Sequence, residues 1–241
     1  MEAYRAFLSQ FLSLAFSYPE EKVFQTLEDS LGDLERSLQA LQLSYDTASL
    51  SPALKEARKR LLDLQGEYNA LFATTVKVPA WETAYELDKT ARRAAELSDI
   101  EGFYRAFGLS LSAPVEPDSL VAELEFLSLL LQKQLYTLNE GDGEGAEICE
   151  EAYRKFLTDH LGRWYAVFIR RLEEISEEEY YRRIGALLKA FLEKETHGLA
   201  GEIRKVSHYK EDSIKGSTWK CDACTRGRSS TPSTLTRGAR R

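Results

Sequence analysis

The chain of 241 residues predicts an all-α fold, a single globular helical domain of about eight helices. Three observations carry this prediction. Apolar residues recur every three and four positions through most of the chain. No alternating stretch is long enough to make a useful strand, and no unit repeats at a fixed period. Hydrophobic residues make up 43% and charged residues 29%, which is enough apolar material for a sizeable core.

The elements follow in order. Phe7, Leu8, Phe11, Leu12, Leu14 and Ala15 mark one face of a first helix, and Tyr18-Pro19 ends it, because proline disfavours the helical region for its predecessor. A second helical stretch is expected from about Glu20 to Leu43. A third starts after Pro52, with Leu54, Ala57, Leu61, Leu64, Tyr68, Leu71 and Phe72 on one stripe. From Thr74 to Thr83 the period breaks and Pro79 appears, so an extended loop is predicted. Helical signals resume near Tyr85 and run, with a break, to Phe107, where Gly108 serves as a C-cap. A second linker covers Ser110 to Val115. Pro117 and Asp118 then open the most apolar helix, placed at the centre of the domain. Asn139 to Gly145 reads as a flexible acidic connection, followed by helices around Ala146–Thr158 and His160–Ile175. Ser176 and Glu179 form a capping-box pattern that starts the last long helix, with Tyr180, Ile184, Leu187, Leu188 and Phe191 facing inward.

Charge separates two regions. The helical domain is assigned to residues 1–214, and residues 215–241 form a basic, low-complexity tail expected to be disordered. Seven basic residues against the single acid Asp222 make that tail +6, which leaves −13 of the net −7 on the body. An acidic body repels nucleic acid and anionic lipid and accepts cationic partners. No run of about 18 apolar residues offers a membrane span. The N-terminus lacks a basic leader with a small-residue cleavage site, and three cysteines cannot build a disulfide framework. A cytoplasmic protein is expected.

The usual catalytic constellations are missing. Neither a phosphate-binding G-x-x-x-x-G-K-[ST] nor a zinc-binding H-E-x-x-H occurs. The glycines of GDGEG are interleaved with carboxylates that would repel phosphate. His160, His197 and His208 are scattered and read as structural. Cys221 and Cys224 form a C-x-x-C without a second ligand pair, so neither metal nor cofactor is expected. What remains is an acidic helical body with two irregular linkers. Trp81, Tyr85 and Tyr104 lie around the first, and Glu116, Pro117 and Asp118 close the second. Aromatics bounded by carboxylates suit an amphipathic, cationic peptide. The same residues could instead be core aromatics and helix caps.

At these residues the sequence resembles the TorD/DmsD/NarJ family of chaperones for molybdopterin-dependent oxidoreductases. The matching pieces run in order: YNALF (Tyr68–Phe72), PAWETAYELDK (Pro79–Lys89), IEGFYRAFGL (Ile100–Leu109), EPDSLVAELEFLSLLL (Glu116–Leu131) and FLTDHLGRW (Phe156–Trp164). One position departs: Ser119 stands where many members carry histidine, so no role of that histidine transfers. The resemblance implies a TorD-like all-α domain without catalysis. It also implies a cytoplasmic chaperone that holds an apo catalytic subunit, its twin-arginine leader, or both, until cofactor insertion. In such a site Trp81 and Tyr85 would line the groove. Glu116, Asp118 and Glu123 would engage guanidinium groups, and Pro117 and Ser119 would shape the helix start. A non-enzymatic helical adaptor that docks folded partners is the alternative. A homodimer is left open.

Overall fold

The computed structural model describes residues 1–85, 90–110, 116–206 and 209. The tail from 215 onward, with Cys221 and Cys224, lies outside them, as does His208. Among the described residues the fold is all-α, with ten α-helices where about eight were expected. The extra helices come from breaks that no proline or glycine marks.

The first is α1 (Glu2–Phe16), closed at Ser17 ahead of Tyr18-Pro19. The expected second helix divides at Ser30 into α2 (Glu21–Asp29) and α3 (Leu31–Ala40). There the hydroxyls of Thr26 and Ser30 donate back to Lys22 O (2.9 Å) and Thr26 O (2.7 Å), which competes with the helical ladder. The third also divides, at Arg60, into α4 (Thr47–Lys59) and α5 (Leu61–Tyr68). Its start precedes Pro52, because Asp46 caps it by accepting from Ala48 N at 3.1 Å. The end of α5 widens into a π-helical turn, Asn69–Ala73.

The stretch after this turn is irregular up to a single 3-10 turn, Glu82–Ala84. Helix α6 (Thr90–Ala106) ends as expected at Gly108, which takes a φ of 79° while Leu109 N–H closes on Tyr104 O at 2.9 Å. The long apolar helix α7 (Leu120–Asn139) begins later than predicted, with Ser119 and not Asp118 as its cap. The acidic connection is shorter than its composition suggested. Asp142 accepts from Gly145 N at 2.9 Å and starts α8 (Gly143–Asp159), so most of GDGEG is helix. Helix α9 (Leu161–Ile175) follows with only His160 between them. Gly162 is required there, since a β-carbon would collide with Leu157 O. The capping box does not form. Ser176 closes α9, and α10 (Glu179–Thr196) starts after Glu178.

Helix α7 is the centre of the packing, with α1 on one side and α8 on the other, while α10 packs on α9 and α4. One apolar cluster runs through all of them. Aromatic contacts knit it together: Phe16 lies 5.7 Å from Phe168, and Phe126 lies 4.8 Å from both Tyr104 and Phe156. Each such ring contributes on the order of 1.5–3 kcal/mol by leaving water. Arg5 pairs with Glu195 at 2.8 Å, and Tyr153 donates to the same carboxylate at 2.7 Å, which ties α1, α8 and α10. No described helix is long and apolar enough to cross a membrane.

Candidate functional site

The end of the first linker meets the residues that open α7. Leu120 N–H donates to Ala80 O and Glu82 N–H donates to Asp118 O, both at 2.9 Å, which makes a one-residue antiparallel bridge between Trp81 and Ser119. Side chains reinforce the backbone pairing. The Asp118 carboxylate accepts from Thr83 N at 3.0 Å and from Thr83 Oγ1 at 2.6 Å. Tyr85 donates to Pro79 O at 2.6 Å and Tyr104 donates to Pro117 O at 2.7 Å. Two irregular segments that helical periodicity cannot position are thereby fixed by directional bonds.

Beneath this junction lies a buried polar network. The Glu82 carboxylate reaches His160 Nδ1 at 3.0 Å with one oxygen and Arg163 Nη1 at 3.4 Å with the other. Arg163 also donates to Asp159 O at 2.9 Å and lies 3.5 Å from Glu96. Trp164 Nε1 donates to Glu123 at 3.2 Å, and the indole stacks on the Tyr85 ring at 5.4 Å. Glu123 is fully buried. Burial, together with the charges of Glu82 and Asp118, holds its pKa well above the usual carboxylate range. Burial likewise pushes the Tyr85 and Tyr104 hydroxyls up, so both stay protonated donors. Desolvation lowers the Arg163 guanidinium from its ordinary value.

Ligand atoms of Glu82, Glu96 and His160 come within 4.8 Å of one another, close enough in principle to meet at an ion. Arg163 lies against both carboxylates, so a guanidinium already supplies the positive charge there.

The seven expected site residues separate by depth. Tyr85, Asp118 and Glu123 are interior, at 3%, 0% and 0% exposure. In this structure they cannot touch a peptide lying on the surface, and Asp118 and Glu123 are not open carboxylates for a guanidinium. Trp81, Pro117 and Ser119 are half-buried and Glu116 is exposed, so these four form a rim around the bridge. The expectation that aromatics at these linkers could be core describes Tyr85 and Tyr104, and cap duty falls to Ser119. Sequence reasoning missed Glu82, Thr83 and Arg163. A signal existed in part: Arg163 and Trp164, in the first turn of α9, stand three and four residues after His160, but their partners in the network lie 41–81 residues away.

Three reductase chaperones are similar to this chain. The chlorate reductase assembly chaperone protein of Ideonella dechloratans is 28% identical over 207 residues, covering 83% of this chain and 93% of its own length. The selenate reductase assembly chaperone protein of Thauera selenatis is 30% identical over 196 residues, 77% of this chain and 87% of its own. The perchlorate reductase assembly chaperone protein of Dechloromonas aromatica is 32% identical over 124 residues, half of this chain and 54% of its own. A family model described as nitrate reductase delta subunit matches residues 33–170. That span is more than half the chain and holds the linker bridge, the rim and the whole polar network, and the chain therefore belongs to the nitrate reductase delta subunit family.

Proposed function

We propose that this protein is a cytoplasmic assembly chaperone for a molybdopterin-dependent reductase and performs no catalysis. It holds the apo catalytic subunit, its twin-arginine leader, or both, until the cofactor is inserted. The observation that carries the reading is the likeness over most of the chain to proteins named as assembly chaperones of chlorate and selenate reductases. The acidic body supports it, since a basic leader would be drawn to it in a salt-dependent way.

The client site we assign is the rim. Trp81 supplies an apolar anchor, Glu116 meets a guanidinium, and Pro117 and Ser119 set the approach to α7. Tyr85, Asp118 and Glu123 are positioning residues, which hold the rim through Pro79, Thr83 and Trp164. Copurification tests the reading. Tagged protein should retain the catalytic subunit from cells unable to make molybdopterin and release it from cells that load it. Equal retention of apo and mature subunit would favour an adaptor and end the chaperone reading. Calorimetry with a leader peptide tests the site: Trp81→Ala should weaken binding by about 1–3 kcal/mol.

A further inference from the structure

Beyond α10 and a 3-10 turn, His197–Leu199, the chain runs back along α9 without regular structure. Three contacts lay it there. Ile203 is interior, and its Cδ1 packs where Gly162 lacks a side chain, 3.1 Å from the place a β-carbon would take. Val206 N–H donates to Arg163 O at 2.9 Å. The Tyr209 ring lies 5.6 Å from that of Tyr85, which stacks on Trp164, and the Arg171 guanidinium stands 4.1 Å over the Tyr209 ring. Arg171 also donates to Lys77 O at 2.5 Å, so one side chain holds both this segment and the linker that leads to Trp81.

The segment carries two kinds of side chain. Ile203, Val206 and Tyr209 come at intervals of three and are buried or half-buried, while Arg204 and Lys205 stand side by side in solvent between the first two. Adjacent cations flanked by apolar anchors are also the chemistry that the rim is assigned to receive on an acidic body. Tyr85, expected as a groove aromatic, is closed off on the side where Tyr209 lies. An irregular segment beyond the last long helix, with two of its three anchors half-buried, belongs to the parts of a protein that open first.

We propose that Ile203, Val206 and Tyr209 form an autoinhibitory strap. From within the chain it occupies the surface between α9 and Tyr85 that a client peptide of two adjacent cations and an apolar stretch would take, and the client enters by displacing it. This inference rests on the client reading given above. Tyr85 then joins the rim only when the strap is open, and the apparent affinity of the free chain is reduced by the fraction of time the strap is open.

The test uses the full-length chain and a synthetic peptide of two adjacent arginines followed by an apolar stretch. Calorimetry compares wild type with Tyr209→Ala, and circular dichroism checks that the helices remain. Hydrogen exchange of the Val206 amide is followed in wild type with and without peptide, with α9 amides as the internal reference. A strap closed about nine-tenths of the time predicts binding about tenfold tighter to Tyr209→Ala, together with loss of Val206 protection in wild type at saturation while α9 amides hold. Equal or weaker binding to the folded variant, or a Val206 amide as protected in the complex as in the free chain, overturns the strap. The client reading then stands, because the peptide still binds. If Tyr209→Ala does not fold, the wild-type exchange decides alone. A peptide that binds neither form overturns the strap together with the leader half of the client reading, and copurification of the apo subunit decides the other half.

Discussion

The α1–α7 face and the junction beneath the Trp81 turn are equally buried and held by opposite means. On the first, Leu8, Leu12, Leu124, Leu127 and Leu131 belong to one apolar core, crossed by a hydrogen bond from Ser128 Oγ to Ala6 O. In the second, Glu82, Asp118, Glu123, His160 and Arg163 are interior and meet one another, Thr83, Trp164 or the backbone through directed polar bonds. Apolar burial is non-directional and suits helices, whose geometry the backbone already supplies. Irregular segments have no such geometry of their own. A polar interior fixes their position, and every member then depends on its partner.

Substitutions can break or sharpen this contrast. The largest effect should come from the apolar side: Phe126→Ala, which removes a ring in contact with Phe103, Tyr104, Phe107 and Phe156, should destabilise by about 3–5 kcal/mol in urea unfolding. Glu82→Ala should come close behind, at about 3 kcal/mol, because it leaves His160 and Arg163 without their shared carboxylate. A loss of only a few tenths would mean that the junction is not a mutually dependent unit. Asp118→Ala should lose about 1–3 kcal/mol, and Thr83→Ala should add little to it in a double-mutant cycle, since the two share their bonds. Full additivity would break the coupling. Glu123→Gln should move the other way. A carboxyl with a raised folded pKa loses stability as pH rises above 4.5, so the neutral amide should raise Tm at pH 7–8 by about 2–4 °C for each kcal/mol relieved, and not at pH 4. Smallest of all, Glu116→Ala on the exposed rim should leave the unfolding free energy within about 0.5 kcal/mol of wild type while weakening any basic-leader binding.

The same contrast explains what could be read from the amino acids. Helices announced themselves through apolar spacing, and Gly108 and Tyr18-Pro19 announced two of their ends. The breaks at Ser30 and Arg60 were hidden, because ordinary residues carry them, and at Ser30 the competing bonds are local hydroxyl contacts. Asp118 looked like a cap because aspartate caps helices well, but Ser119 caps as well and leaves the carboxylate for Thr83. The linkers were legible as a place of interest. Their joining was not, since Glu82 and His160 stand 78 residues apart and no local pattern links them.

The link between α1 and the rest of the domain has a bearing on how the molecule is made. Ala6 receives its bond from Ser128, and Arg5 finds Glu195, 190 residues downstream. At a synthesis rate of about 5–20 residues per second, roughly 6–25 s separate the emergence of α1 from that of its principal neighbour. Throughout that interval α1 lacks the α7 face on which most of its packing is made. A protein assigned to shelter an unfinished polypeptide thus passes through such a stage itself.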